Sequence, residues 1–431
     1  MTESIHGVRA GTVECPVDGE RLTAVLAQAD ADRRAVCIAG GATKLGWGNR
    51  PERLDLLVST REMRSRCDVD ADDLIVTASA GFTVAEVRMR ARQAGRVLPL
   101  DAGCPDRATV GGVAATGDQG ARGAGYGRVR DLALGLKATL ADGTQVKFGG
   151  RTMKNVAGYD MSKLFVGSFG VLGVITEVTF RLLPRPEAHG MLVIPSPSFE
   201  EAAALVARIL HSGLQPLVLQ IVPPSLAVLP GTSTPLTGSK AQGEYILLAG
   251  FAGHPAALDR SLADVSGWSQ TRETVQLADE DMEAILDNLA GRGAGGGDQA
   301  PPHDEALVRV RAAVPVSETC RFADAALSLG QVHGLALEYQ VNAGSGIVDL
   351  WEVDRQDSTD RARALTDWVV AAREAATARG GGLAVVAGLL SLAPGLDAWG
   401  ETGASVRLMK AIKQRFDPHR TLNPGRFVGG I

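Results

Sequence analysis

Gly103-Cys104-Pro105-Asp106-Arg107-Ala108-Thr109-Val110-Gly111-Gly112, followed by Gly117, Gly120, Gly123, Gly125 and Gly127, is unlike ordinary core sequence. A second segment of this kind, Met153-Lys154-Asn155-Val156-Ala157-Gly158-Tyr159-Asp160, leads to Gly167-Ser168-Phe169-Gly170-Val171-Leu172-Gly173-Val174-Ile175-Thr176-Glu177. Glycine loses the most backbone entropy on folding, so dense glycine persists where the chain turns with positive φ or approaches a ligand closely. Such loops expose a concave set of N–H groups, which can bind phosphate oxygens without a dedicated cation. The stretch from Asp101 to Pro184 therefore reads as a loop system wrapped around a large phosphate-bearing cofactor.

Upstream, the apolar face Leu22, Val25, Leu26 and Ala29 has helical spacing, and Ala35 to Ala39 reads as a short buried strand. That strand opens into Gly40-Gly41-Ala42-Thr43-Lys44-Leu45-Gly46-Trp47-Gly48, which places several amides at one spot. This loop is neither a Walker A sequence nor a G-x-G-x-x-G fingerprint. Strands follow at 54–58 and 74–78, and Thr83-Val84-Ala85-Glu86 is a capping box that starts a helix reaching about Ala94. Thr109, Gly111, Gly112, Thr116, Gly117 and Gly120 offer small side chains where a flat ring or ribityl chain could lie along a long loop over 103–127. The run from Gly170 to Phe180 is a strongly β-forming strand that can offer backbone donors and acceptors to a heterocycle.

The 431 residues suffice for a sizeable core in at least two lobes, and a hydrophobic content of 45% is that of a globular protein. The net charge of −5 and the scattered basic residues give no support for a nucleic-acid or acidic-membrane surface. Cys15, Cys37, Cys67, Cys104 and Cys320 show no C-x-x-C or His-Cys spacing, so reduced thiols are expected rather than disulfides, zinc or an iron–sulfur cluster. The N-terminal residues lack the apolar core of a signal peptide, and the apolar run 383–396 is broken by Gly388, Ser391, Pro394 and Gly395. A cytoplasmic protein with no metal site and no membrane span is expected.

Beyond Pro184-Arg185-Pro186 glycine thins out. Strands are expected near 191–194, 217–222, 245–251, 306–312, 336–341 and 347–353. Helices are expected after Ser198 and at about 255–266, 279–290, 317–328 and 359–378. This pattern predicts an α+β lobe with helices on one face of an antiparallel sheet. Residues 224–243 and the Gly291–Pro302 region read as loops. A helix from about Ala404 to Phe416 should end at Asp417-Pro418-His419-Arg420-Thr421-Leu422-Asn423-Pro424-Gly425-Arg426, an extended tail that docks on an earlier domain. The expected division is 1–186, 187–400 and 401–431.

Together, in order and spacing, four of these segments resemble the vanillyl-alcohol oxidase / p-cresol methylhydroxylase flavoprotein superfamily. They are the GG-x-T-K-x-x-x-G loop at 40–48, ATVGG at 108–112 with Tyr126-Gly127, K-N-x-x-G-Y-D through G-V-I-T-E at 154–177, and F-D-P-x-x-x-L-N-P-G-R at 416–426. Among its branches the chain looks most like the FAD-binding subunits of bacterial glycolate oxidase. The resemblance implies a two-lobed PCMH-type FAD-binding domain, with the middle lobe as cap or substrate domain. Gly40, Gly41, Ala42, Thr43, Lys44, Leu45 and Gly46 would wrap the FAD diphosphate. Thr109, Gly111, Gly112, Thr116, Gly117 and Gly120 would line the ribityl and flavin side, and Pro105 would be a further cofactor-binding residue. Val174 and Ile175 would meet the adenine half through backbone, and Asn423 would approach the isoalloxazine.

The departures from the family pattern are as informative. Catalytic 2-hydroxy-acid dehydrogenases of this superfamily carry a His-x-x-Gly-Asp-Gly-Asn-x-His type metal site and a later Glu-His-Gly. Here the corresponding segments read Gln340-Val341-Asn342-Ala343-Gly344-Ser345-Gly346-Ile347-Val348 and, at 384–390, an apolar run. The arginine before lysine that could clamp a substrate carboxylate is replaced by Met153, with Arg151 two residues upstream. Lys154, Asn155, Tyr159 and Asp160 are either flavin or substrate contacts, or a structural turn with Tyr159 packed beneath the flavin domain. Cys104 reads as a small apolar residue rather than a flavin attachment point, and the six histidines from His189 to His419 read as surface or structural residues. No catalytic residue is assigned. The resemblance thus implies noncovalent FAD carried for electron transfer beside a catalytic flavoprotein subunit and an iron–sulfur subunit, in the cytoplasm and peripheral to the inner membrane through partners. A stand-alone hydroxy-acid or alcohol dehydrogenase, or a scaffold subunit, are the alternatives.

Overall fold

In the computed structural model, residues 4–151, 159–228, 245–269, 274–293, 307–353 and 359–431 are described. They form two compact units: Met1–Gln119, Arg128–Arg185 and Asp397–Ile431 in the first, Gly120–Gly127 and Pro186–Leu396 in the second. The expected contiguous division at residue 186 had no place for the short 120–127 insert, which belongs with the later lobe.

The first unit starts from a helix whose spacing is fixed by burial. Asp18 caps Gly19–Ala31 by accepting from the Arg21 amide at 2.8 Å, and Leu22, Val25, Leu26 and Ala29 are the buried residues. They pack on Val36, Leu56 and Val58 of a three-stranded parallel sheet ordered Thr12–Glu14, Leu56–Ser59, Val36–Ala39. All four residues of the central strand are buried, as a parallel strand covered on both faces requires. An antiparallel sheet follows, ordered Gln145–Gly149, Ala133–Thr139, Val174–Arg181, Ile75–Ser79, Cys67–Asp70. The helix Val84–Gln93 carries the full Thr83–Glu86 capping box.

Two expectations fail here. Residues 110–116, read as loop, form a helix, Val110–Thr116. Two glycines lower its intrinsic propensity, but Val110, Val113 and Ala114 bury completely or nearly so, Thr109 caps the start by accepting from the Gly112 amide, and Gly117 ends the helix at φ +67°. Tertiary burial outweighs propensity. The strand Cys67–Asp70 was missed because its pattern is half-exposed and acidic.

The second unit is an eight-stranded sheet ordered Val275–Ala278, Ala188–Ser196, Tyr245–Gly253, Val218–Val222, Leu337–Asn342, Ile347–Glu352, Arg309–Ala313, Gly382–Ala387. Every pairing in it is antiparallel. Helices Phe199–His211, Pro255–Trp268, Asp279–Gly293, Thr319–Val332 and Thr359–Ala378 connect the strands. They do not all lie on one face. Met282, Ile285 and Leu286 pack on the side that carries Met191 and Val193. A Cβ on Gly190, which points the other way, would instead meet Leu258 and Leu262 of the Pro255–Trp268 helix. The Ala188–Ser196 strand is buried over seven consecutive residues because both of its faces are covered. Of the expected loops, Pro224–Leu226 forms a 3-10 turn and Gly291 to Gly293 end a helix; residues 229–244 and 294–306 lie outside the described residues. No described helix is long and apolar enough to cross a membrane.

The C-terminal segment rejoins the first unit through a buried ion pair. On the helix Ser405–Phe416, the Lys413 ammonium donates to the Asp417 carboxylate at 2.6 Å and to the carbonyls of Val171 and Leu422 at 2.8 Å each. All three of its protons are used. Asp417, fully buried, also accepts from the Thr421 and Leu422 amides at 2.8 and 2.7 Å. The tail then runs beside the Val36–Ala39 strand: the Val36 amide donates to Thr421, and the Asn423 amide to Val36, both at 2.7 Å.

Removing one partner of a buried ion pair leaves an uncompensated charge, whereas exposed pairs contribute little. Lys413→Met is therefore expected to destabilise the chain by about 3–5 kcal/mol. Arg21→Ala, at the exposed Arg21–Glu14 pair, should change stability by less than about 1 kcal/mol. Urea unfolding of both variants checks the contrast.

Candidate cofactor site

The first glycine loop leaves the end of the Val36–Ala39 strand and meets the 107–112 segment head-on. A Cβ on Gly41 would run into the Arg107 carbonyl, and one on Gly40 into the Thr109 hydroxyl. A Cβ on Gly111 would meet the Ala80 methyl at 2.5 Å, because the Gly111 amide bonds the Ala80 carbonyl at 3.1 Å. These three glycines are required first by contacts within the protein. Gly112 is less crowded; the nearest atom to its Cβ position is the Thr109 hydroxyl at 3.2 Å.

Between the interlocked loops lies a cavity that is partly open to solvent. Its walls include Gly40, Gly41, Ala42, Thr43, Lys44 and Leu45 from the first loop, Thr109, Gly111, Gly112 and Thr116 from the short helix, and Val174 and Ile175 from the entry to the long strand. Twelve residues singled out from sequence thus meet at one place. Five others do not line it. Gly46 ends the 43–46 turn, and Pro105 gives its carbonyl to the Ala85 amide at 3.0 Å. Gly117 closes the helix, and Gly120 belongs to the second unit, where its carbonyl accepts from Asn342 at 3.1 Å. Asn423 is 2% exposed; its side chain donates to the Phe169 carbonyl at 2.7 Å and accepts from the Ile38 amide at 3.4 Å. It joins the tail to the strand and the Phe169 turn.

Thr60, Phe169 and Arg426, to which sequence reasoning gave no role, also line the walls, as does Gly170 at the start of the run expected to face a heterocycle. Ala42 and Phe169 hold positive φ, +59° and +54°, at the cavity, a strained conformation for a side-chain-bearing residue that tertiary contacts must impose. The Phe169 ring meets Trp399 edge-on at 4.8 Å and stacks near Phe427 at 5.4 Å, and the Trp399 indole donates to the Arg426 carbonyl at 2.9 Å. The signal for Arg426 was present in the L-N-P-G-R motif, but the resemblance gave a role in it to Asn423 alone.

The cavity carries two cations. Lys44 pairs with Asp118 at 2.8 Å and lies 4.7 Å from the Trp47 ring centroid. Arg426 donates through Nη2 to the Leu45 and Trp47 carbonyls at 2.6 and 2.7 Å. Burial pushes the neighbouring Cys37 thiol up to about 11, against an opposing pull from Arg426, so it is a neutral thiol near pH 7. Lys154 and Asn155 lie outside the described residues. Tyr159 is 97% exposed, so it is not packed beneath the flavin domain. Arg151 stands on the surface, 3.7 Å from Asp70.

On the Gln340–Val348 hairpin of the second unit, polar side chains are committed internally. Gln340 donates to the Leu289 carbonyl at 3.0 Å, and Asn342 to Gly120 and Ala121.

Gly41→Ala should force the two loops apart and destabilise the chain by roughly 1–3 kcal/mol. Gly267→Ala, where a Cβ meets nothing within 4 Å, should be neutral or stabilising; urea unfolding compares them. At about pH 8, a thiol reagent should label the exposed Cys15 in the native chain and spare Cys37, whose labelling should require unfolding; mass spectrometry reads both.

The sequence matches the FAD binding domain family over residues 11–149 and the C-terminal domain of FAD linked oxidases over residues 185–335 and 398–427. It is 28% identical to a D-lactate dehydrogenase of Archaeoglobus fulgidus over 423 residues, 96% of this chain and 90% of that one. It is 26% identical to glycolate oxidase subunit GlcD of Bacillus subtilis over 431 residues, 96% of this chain and 88% of that one. Glycolate oxidase subunit GlcE of Escherichia coli is 39% identical over 162 residues, 37% of this chain and 46% of that one. A solved structure of alkyldihydroxyacetonephosphate synthase shares the fold, with a TM-score of 0.68 at 16% identity over 96% of this chain and 77% of that one. Most of the cavity wall lies within the part matched as FAD binding, joined by residues 169–175 and by Arg426 of the returning tail: the chain carries the FAD-binding and C-terminal domains of FAD-linked oxidases and is an FAD-dependent oxidoreductase of the hydroxy-acid dehydrogenase type.

Proposed function

We propose that the chain is the FAD-binding subunit of a glycolate-oxidising complex, working in the cytoplasm beside a catalytic flavoprotein subunit and an iron–sulfur subunit. One observation carries this reading: the histidines that hold the metal and substrate in catalytic members are replaced at Gln340–Val348 and 384–390. Gln340 and Asn342 spend their amides on backbone carbonyls instead. The likeness to GlcE, stronger per residue than the full-length likenesses but confined to part of the chain, supports the same branch.

In this reading FAD supplies the electron-accepting chemistry when bound, and the chain's residues hold and orient it. The 40–45 loop amides would face the diphosphate, Gly112 and Thr116 the ribityl and ring side, and the backbone of Val174 and Ile175 the adenine half. Gly46, Pro105, Gly117, Gly120 and Asn423 would act through the loops and the tail they shape. No histidine, cysteine or tyrosine is among the described residues lining the cavity, which favours noncovalent binding. The full-length likeness to a D-lactate dehydrogenase favours a second reading, a stand-alone 2-hydroxy-acid dehydrogenase.

The visible spectrum of the purified chain separates the two. The flavin band is expected to persist under anaerobic glycolate or D-lactate and to bleach once partner subunits are added. Bleaching by the chain alone would establish the second reading. Gly112→Val, which adds a branched side chain at the cavity wall, is expected to remove most bound flavin with little change in the unfolding midpoint; unchanged flavin content would refute the loop assignment.

A further inference from the structure

One charge in the cofactor cavity is left unbalanced by the protein. Arg426 is 6% exposed and belongs to the cavity wall. Its Nη2 is held by two backbone carbonyls, while its buried Nε has no hydrogen-bond partner. Among the described residues no carboxylate forms an ion pair with it, although Lys44 in the same cavity has Asp118 at 2.8 Å. The ionisable neighbour acting on it is the neutral thiol of Cys37. A buried guanidinium without a counter-ion costs several kcal/mol, and an unmade hydrogen bond from a buried charged donor adds to that. Two carbonyl dipoles fix the group in place but do not neutralise it. Such a site gains stability when an anion arrives, and arginine suits this role because it stays charged and presents its donors in a rigid fork.

We propose that Arg426 is the counter-charge for bound FAD, its Nε donating to an anionic oxygen of the cofactor. That oxygen belongs either to the diphosphate or to the pyrimidine edge of the flavin ring as it gains negative charge on reduction. Arg426 is then a positioning residue delivered by the C-terminal tail, so the FAD-binding domain reaches full affinity only with the tail docked. The inference rests on the chain binding FAD in this cavity. Wild-type binding is therefore measured first, and its failure would count against that reading rather than against the role of Arg426.

The test uses flavin-stripped full-length chain, titrated with FAD and with ADP, which has the diphosphate and no flavin. Arg426→Gln keeps amide donors for the Leu45 and Trp47 carbonyls but removes the charge; it is expected to weaken FAD binding on the order of 10- to 100-fold. Arg426→Lys should recover part of the loss. If the acceptor is the diphosphate, ADP affinity falls in parallel. If it is the flavin ring, ADP affinity holds and the flavin midpoint potential of Arg426→Gln drops, because reduction loses its charge partner. A folded Arg426→Gln chain with unchanged FAD affinity, ADP affinity and potential would overturn the proposal. Should that variant not fold, the Nε–H resonance of Arg426 is followed by nitrogen-15 NMR in the wild type, assigned by its loss in Arg426→Lys. A shift with slowed exchange on adding FAD supports the proposal; an unmoved resonance overturns it.

Discussion

The buried ammonium of Lys413 is the contact on which the cofactor domain depends. Its three protons reach Asp417, Val171 and Leu422, joining the C-terminal helix to the turn that carries Phe169 and to the tail itself. Burial lowers the lysine's proton affinity while Asp417 opposes that effect, and full hydrogen bonding is what makes a charge tolerable at such a place. From this anchor the tail lies along Val36–Ala39, Asn423 fixes the Phe169 turn, and Arg426 reaches the first glycine loop. Leu45 and Arg426, 381 positions apart in sequence, thereby form one wall.

The same interlocking explains the density of glycine. Gly40 and Gly41 admit the 107–112 segment, and Gly111 lets the short helix approach Ala80. Each removes a Cβ that would collide with the protein itself, and the space left between the two loops becomes the cavity. Cofactor and protein therefore share one constraint. Backbone strain at Ala42 and Phe169 is held in place by the packing around it, including the rings of Trp399 and Phe427.

The second unit shows the opposite economy. Its sheet is continuous and antiparallel, with ion pairs between its sixth and seventh strands: Asp349 holds Arg311 at 2.8 Å and lies 3.7 Å from Arg309. Asn342 secures the 120–127 insert through two backbone carbonyls. These polar groups are occupied in maintaining the unit itself, an occupation that supports the proposed division of labour with a separate catalytic subunit.

Local chemistry was enough to read much of this chain. The spacing of Leu22, Val25, Leu26 and Ala29, the Thr83–Glu86 capping box and the Ser198 cap are short-range patterns, and each recurs in the structure at the expected place. The glycine motifs were legible for the same reason, since a missing Cβ is a property of the residue. Other features depended on partners distant in sequence. Val110–Thr116 is a helix only because its apolar side chains bury and Gly111 can approach Ala80. Helices cover both faces of the large sheet because the Ala188–Ser196 strand needs both covered. Asn423 and Arg426, three residues apart in one motif, have different tasks because the docked tail turns one toward the Phe169 carbonyl and the other toward the cavity. Residue type and spacing determined which segments would come together; the direction each side chain faces was decided by packing, which alone brings both ends of the chain to one cavity.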